Sequence, residues 1–306
     1  MSSSQPLEPA LVEMAQRWKA SGISTDLYVG DGPAMRDRGI QVRNLFYPKP
    51  VLISGPIEAL TLPGPHGDIP ARIVWPASGK PDATLVYFHG GGWILGDLDS
   101  HEAHAIRLAN EANLVVLNVG YRLAPEDPFP AGLDDAIAAT EWAHANLARL
   151  GGNLGGNSGK FAVGGDSAGG NLAAVVALHC RDAGIALAAQ LLIYPATDLT
   201  GPRHGMVREH YLGADAQAKA ANPRVSPSHA ASLAGIAPVI LGVGAHDFLY
   251  NDNMAYVAAL RAANVPLLLR EYPTLNHGFF SFTAVSPASL GAAQQLCADL
   301  GKLLHG

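Results

Sequence analysis

What most constrains this chain is an alternation that starts near residue 84. Short, uninterrupted apolar runs rich in β-branched residues take turns with longer stretches of helical spacing. The runs lie at residues 84–88, 114–119, 161–163, 190–194, 239–243 and 265–272, and helical patterns cover 101–112, 134–150, 168–183, 253–263 and 287–304. A strand with no polar alternation is covered on both faces, and strands joined through helices pair in parallel. The predicted fold class is α/β, a mostly parallel sheet with helices on both faces. Two extended runs, 57–62 and 69–75, flank the turn-rich Pro63-Gly-Pro-His-Gly-Asp68 and predict a hairpin that adds antiparallel pairing at one edge. Further upstream, Leu11, Met14, Ala15 and Trp18 recur at helical spacing. They predict one or two short helices over residues 7–38, whose place the pattern does not set.

Composition narrows the partners. With 306 residues, 48% of them hydrophobic, the chain can bury a sizeable core. Only 15% are charged, the net charge is −6 and no Lys/Arg run occurs, which argues against nucleic acid or an anionic membrane surface as the main partner. The longest apolar stretches, near 172–178 and 185–193, fall short of the roughly 18 residues of a membrane span. Residues 1–20 carry no early basic residue and no continuous apolar run, so no secretory leader is expected. Two cysteines, Cys180 and Cys297, are too few for a disulfide framework; one bridge is arithmetically allowed, but a reduced, cytoplasmic protein is the expectation.

In a parallel sheet, ligands gather beyond the carboxyl ends of the strands. The loop after 161–163 reads Gly165-x-Ser167-x-Gly169, a serine between two glycines, after a strand and before a helix. That setting fits a nucleophile elbow, whose turn is too tight for flanking side chains and lifts the hydroxyl above the sheet. The backbone N–H of Ala168, at the start of the next helix, can point at a developing oxyanion. The loop after 84–88 reads His89-Gly90-Gly91-Gly92-Trp93, whose bare backbone amides can converge on a negative oxygen beside such an elbow.

A serine needs a base and an orienting acid, and in this fold class they follow it as acid, then histidine. Asp247 stands at the end of the 239–243 run, and only His277 and His305 come after it. His305 is the penultimate residue, on a helix end expected to fray, whereas His277 sits in a loop after the last strand. The candidate set is therefore Ser167, Asp247 and His277. Asp252 is the rival acid, one turn late, and His246 is expected to pack or face solvent.

Other motifs fail. Residues 151–160 end in Gly-Lys, but Leu154 replaces the first glycine of a phosphate loop and Phe161 the required Ser/Thr, so a surface loop is expected. His101 and His104 are separated by two residues instead of the three of an i, i+4 zinc helix, without a cysteine cluster, so neither a metal nor another cofactor is expected. Trp18, Tyr28, Phe46 and Tyr47 could line a pocket or simply pack.

From about Ile57 onward the chain resembles the bacterial hormone-sensitive-lipase-like esterases (family IV) of the α/β-hydrolases. The carriers are His89–Trp93 (HGGGW), Tyr121–Asp135 (YRLAPEDPFPAGLDD), Gly165–Ala173 (GDSAGGNLA), Leu191–Asp198 (LLIYPATD), the Asp247 segment, His277–Phe280 (HGFF) and Asn222–Pro227, close to the family's DPRVSP. The resemblance implies an eight-stranded sheet, an N-terminal helical cap (1–50) over a catalytic domain (51–306), and a second cap piece at about 199–235. It implies oxyanion donors at Gly91, Gly92 and Ala168, and a structural His89 that orients its loop. It further implies a serine carboxylesterase without cofactor, acting on small-molecule esters of short to medium acyl chain through an acyl-enzyme, with pairing into a homodimer through the last strand and helix. The same parts could serve an amidase, lactonase or carbamate hydrolase. A non-catalytic receptor of similar architecture is disfavoured, because receptors of that kind can lack the histidine. One departure is local: where the family reads DPLRDE, this chain has Asp247-Phe248-Leu249-Tyr250-Asn251-Asp252.

Overall fold

The computed structural model describes residues 5–152 and 160–306. The strands are β1 (Ile57–Gly64), β2 (Gly67–Val74), β3 (Ala83–Phe88), β4 (Val115–Val119), β5 (Lys160–Asp166), β6 (Ala189–Ile193), β7 (Val239–Gly244) and β8 (Leu267–Tyr272). They form one sheet in the order β1-β2-β4-β3-β5-β6-β7-β8. The front hairpin pairs antiparallel from Ile57↔Val74 to Gly64↔Gly67, β2 meets β4 antiparallel, and every other neighbouring pair is parallel. The expected strands thus appear within a few residues of their predicted ends.

The helices are α1 (Pro9–Ala20), α2 (Gly32–Phe46), α3 (Glu102–Ala112), α4 (Ala131–Ala145), α5 (Ala168–Ala183), α6 (Gly205–Leu212), α7 (Ala216–Lys219), α8 (Tyr250–Ala262) and α9 (Pro287–His305). The 134–150 helical pattern breaks at Ala145 and ends in a separate π turn, Ala148–Gly152. Sequence periodicity does not mark α6 and α7: they are too short to show a clear period, and α6 is held by a tertiary contact, the stack of Tyr211 on Trp93. Among the described residues, no helix is long and apolar enough to cross a membrane.

The pleat sorts side chains between two cores. Along β3, Val86 and Phe88 face the layer containing Leu133, Leu172 and Tyr256, while Leu85 and Tyr87 face the layer containing Leu108, Leu296 and Leu11. The sheet is therefore sandwiched by α4, α5 and α8 on one side and by α3, α9 and the N-terminal helices on the other. Cys180 and Cys297 lie in opposite layers as free, buried thiols, which removes the allowed bridge.

The N-terminal segment is tied down by polar contacts as well as packing. The Glu8 carboxylate accepts from the Ser286 hydroxyl and from Ala288 N–H (3.1 Å) at the start of α9, and Glu8 N–H donates to the Thr274 carbonyl at 3.0 Å. Asp31 caps α2 by accepting from Ala34 N–H at 2.9 Å. Trp18 and Phe46 stack at 6.3 Å between centroids, joining α1 to α2. The glycine-rich stretch read as a surface loop lies mostly outside the described residues, at 153–159.

One packing contact sets the height of the whole α5 layer. A Cβ on Gly169 would stand 1.9 Å from the Phe88 carbonyl oxygen, and one on Gly165 would stand 2.4 Å from the same oxygen. Gly169→Ala is expected to lower the stability by about 1–3 kcal/mol, as overpacking does against rigid backbone. A urea-unfolding midpoint equal to that of the parent chain would contradict this close approach.

Candidate active site

Ser167 ends the turn between β5 and α5 with φ 54° and ψ −114°, a conformation unusual for a side-chain-bearing residue. Its backbone is pinned on both sides: its N–H donates to the Ile193 carbonyl (2.9 Å), and its carbonyl accepts from Asn171 (3.0 Å) and Ala196 (3.2 Å). The hydroxyl is left to face His277, with Oγ 2.9 Å from Nε2. His277 Nδ1 lies 2.9 and 3.0 Å from the two carboxylate oxygens of Asp247. Asp247 follows β7, and its Oδ1 also accepts from Leu249 N–H at 2.7 Å. With Nδ1–H donating to the carboxylate, Nε2 offers its lone pair to the serine hydroxyl. The expected nucleophile, base and acid are thus brought together from three separate loops.

The rivals are elsewhere. Asp252 faces Arg203 (3.4 Å) and His204 (3.5 Å), and His246 donates to the Gln5 carbonyl at 3.0 Å. His305 differs from expectation. Instead of fraying, it docks α9 onto the end of α3, donating to the Ala112 carbonyl at 2.8 Å and facing Asp82 at 2.5 Å.

The glycine loop after β3 approaches the same point. Gly91 and Gly92 adopt φ 125° and 62°, and Gly91 lines the cavity into which Ser167 and His277 open. Gly92 is pressed against Tyr28, so that a Cβ there would meet the phenol oxygen at 2.9 Å. Ala168 is buried as the first residue of α5, where its N–H has no intrahelical carbonyl. His89 stacks on Tyr121 at 4.3 Å and 16°, and its Nδ1–H donates to the Gly90 carbonyl at 2.9 Å. Burial, reinforced by nearby His101, pushes the His89 pKa down to about 4, so the ring is neutral near pH 7.

Sequence reasoning passed over Asp166, the variable position of the serine motif. Its Oδ1 accepts from the Tyr87 hydroxyl (2.7 Å) and from Gly90 N–H (3.0 Å), joining the glycine loop to the serine turn. Burial opposes its charge, but His101, His104 and these donors win, and its pKa falls well below the usual carboxylate range. Only the pairing of β3 with β5 places these groups together, so no spacing in the sequence could have revealed them.

The cavity has a volume of about 430 Å³. Tyr28 and Tyr47 line it, whereas Trp18 and Phe46 pack behind, which divides the aromatic residues whose role the sequence left open. Tyr47 meets Phe282 edge-on at 5.0 Å. Burial raises the Tyr28 and Tyr47 phenols to about 12, so both stay protonated. Phe248, at the altered position after Asp247, lays its ring 4.5 Å from the His277 ring while remaining 52% exposed. Tyr194 flanks that imidazole at 4.7 Å.

Comparison with known proteins adds a family context. An alpha/beta hydrolase fold profile matches residues 85–281. The carboxylic ester hydrolase LipN of Mycobacterium tuberculosis is 39% identical over 265 residues, 80% of this chain and 69% of that protein. The carboxylesterase NlhH of the same species is 38% identical over 257 residues, 78% of this chain and 79% of that protein. Among solved structures, the hyperthermophilic esterase of the archaeon Pyrobaculum calidifontis superposes with a TM-score of 0.86 at 31% identity, covering 99% of this chain and 100% of the other.

The buried, neutral histidines carry a pH signature. The pKa of His89 falls to about 4 and that of His104 to about 3, in both cases chiefly through burial. An unfolded histidine titrates near 6.5, so between that value and about 4 the unfolded chain binds more protons than the folded one. Stability is therefore full above pH 6.5 and should fall by about 1.4 kcal/mol per pH unit for each such ring as the pH drops through this window. Urea-unfolding free energies measured at intervals from pH 7 to pH 5 check it, and a flat profile would be incompatible with buried neutral rings.

Proposed function

The chain belongs to the hormone-sensitive-lipase-like branch of the α/β-hydrolases, and from that premise we propose that it is a serine carboxylesterase acting through Ser167, His277 and Asp247. The observation that carries the reading is the chain of contacts from Asp247 through both nitrogens of His277 to Ser167 Oγ, with Ser167 and His277 lining one cavity. His277 Nε2 takes the hydroxyl proton as Oγ attacks the ester carbonyl. Asp247 holds the tautomer that makes this transfer possible and stabilises the imidazolium. The tetrahedral oxyanion is held by N–H groups of Gly91, Gly92 and Ala168, each contributing about 10²–10³ in rate. His277 then protonates the departing alkoxide, and a water deprotonated by His277 releases the acid from the acyl-enzyme.

The cavity supports small substrates. Its volume of about 430 Å³ lies toward the low end of small-molecule pockets, roughly 300–1,000 Å³, and its aromatic walls from Tyr28, Tyr47 and Phe282 suit an acyl chain of short to medium length. Residues 1–50 act as the cap of the domain 51–306, since α2 and the loops around it supply Tyr28, Arg43 and Tyr47 to the cavity wall. The second cap piece, 199–235, contributes Tyr211 beneath the glycine loop through its stack on Trp93. Free buried thiols at Cys180 and Cys297 suit a reduced, cytoplasmic setting. Pairing into a homodimer fits the open edge of β8, where Leu268 is exposed, and the exposed Leu303 at the end of α9.

Hydrolysis of p-nitrophenyl esters from acetate to palmitate tests the reading, and activity should peak at short or medium chains. Ser167→Ala or His277→Ala should lower kcat by about 10⁴-fold or more, and Asp247→Asn by about 10⁴-fold. A folded Ser167→Ala variant with near-parental turnover would overturn the mechanism.

A further inference from the structure

We infer that His101, His104 and Asp166 form a binding site for one zinc-class divalent cation in the wall of the catalytic cavity, separate from Ser167, His277 and Asp247. The sequence alone did not suggest it, because a two-residue gap between histidines is not a zinc-helix spacing. The fold supplies the third donor by bringing the end of β5 against the start of α3.

The first argument is which atoms face one another. The Ser100 hydroxyl donates to the Asp97 carbonyl (2.8 Å), so it must accept from His101 Nδ1, which lies 2.8 Å away. His101 Nε2 lies 3.5 Å from Asp166 Oδ1. On His104, Nε2 lies 3.3 Å from Ser281 Oγ, and Nδ1 lies 3.4 Å from the Tyr87 hydroxyl and 4.0 Å from the same carboxylate oxygen. Two imidazole nitrogens and one carboxylate oxygen therefore converge in one small volume. Among the described residues Asp166 has no Arg or Lys in ion-pair contact, only these two imidazoles.

The second argument is coordination geometry. All three donor atoms lie within 4.8 Å of one another. A tetrahedral zinc with bonds of about 2.0–2.1 Å sets its ligand atoms roughly 3.3 Å apart, so modest side-chain rotations close the site. The two imidazole planes stand at 86°, which lets their lone pairs arrive from different directions. Two histidines and one carboxylate leave a fourth position open. The side chains already have outer partners that fix their orientation: Ser100 on His101, Ser281 on His104, Tyr87 and Gly90 on Asp166.

The third argument is access. The residues are only 9%, 6% and 4% exposed, yet all three line the cavity that holds Ser167, so an ion can enter by the substrate's route. An ion on Asp166 Oδ1 would compete with the Gly90 N–H for that oxygen and loosen the glycine loop at the serine turn. Zinc is therefore a reversible inhibitor of ester hydrolysis; this arm rests on the carboxylesterase reading, whereas binding does not.

Chelator-treated protein is titrated with Zn²⁺ by calorimetry and with Co²⁺ by visible absorption, alongside His104→Ala, His104→Asn and His277→Ala, each checked by circular dichroism. We expect one equivalent per chain with four-coordinate cobalt bands, and an affinity that falls by at least about 100-fold in a folded His104 variant, more than the loss of an outer-shell contact. Affinity should stay at the parental value in His277→Ala. Absence of stoichiometric binding, binding indifferent to both His104 variants, or binding lost in His277→Ala overturns the inference. Zinc binding without ester hydrolysis would sink the esterase reading alone, and ester hydrolysis without zinc binding would sink the metal site alone.

Discussion

The structure depends on how closely α5 lies against the carboxyl ends of β3 and β5. The Phe88 carbonyl oxygen occupies the space where side chains at positions 165 and 169 would begin, so only glycine allows the approach. That proximity forces the serine turn into its positive φ. The strain is held by three backbone hydrogen bonds, to Ile193, Asn171 and Ala196. The Asn171 side chain extends this clamp, its amide donating to the Ala196 carbonyl (2.7 Å) and the Val225 carbonyl (2.8 Å). A rigid support of this kind keeps the Ser167 hydroxyl at hydrogen-bond distance from the His277 imidazole without flexible side chains to reorder.

Around that turn the interior changes character. Through the body of the sheet most buried residues are apolar, with Thr84, Asn118 and Gln190 as exceptions, whereas polar groups gather at the carboxyl ends of β3 and β5. Asp166, Tyr87, His89 and His104 are all buried, and a charged carboxylate there is tolerable only because hydroxyl, amide and imidazole groups surround it. Asp166 thereby couples two loops that chemistry needs in register: the serine turn it belongs to and the glycine loop whose Gly90 N–H it accepts. His89 completes the frame as a neutral, stacked ring and not as a proton carrier.

The cavity is built from parts of the chain far apart in sequence. One wall comes from α2 and its flanking loops, which place Tyr28 and Tyr47, and the other from the loops after β8 and β3, which place Phe282 and Leu95. Phe248 and Tyr194 flank the His277 imidazole on two sides. Because Phe248 is also half exposed, the altered segment after Asp247 affects both the support of His277 and the rim of its surroundings.

The alternation of apolar runs and helical patterns was enough to foresee the sheet, its hairpin edge and most of its helices, because buried parallel strands and crossover helices each impose a local period. Chain order and strand-end position singled out Ser167, Asp247 and His277, since each lies in a loop just beyond a readable strand. What lay beyond the sequence depended on contacts between distant segments. The helices at 205–219 are stabilised by packing and not by period, as the Tyr211–Trp93 stack shows. The division of Tyr28 and Tyr47 from Trp18 and Phe46 is decided by how α1, α2 and the loops flanking α2 pack together, not by a local period. The meeting of Asp166 with Gly90, His101 and His104 exists only once β5 pairs with β3 and α3 crosses their ends. Local periodicity determines which elements form; the hydrogen bonds and close contacts between them exist only in three dimensions, and those decide what the site can hold.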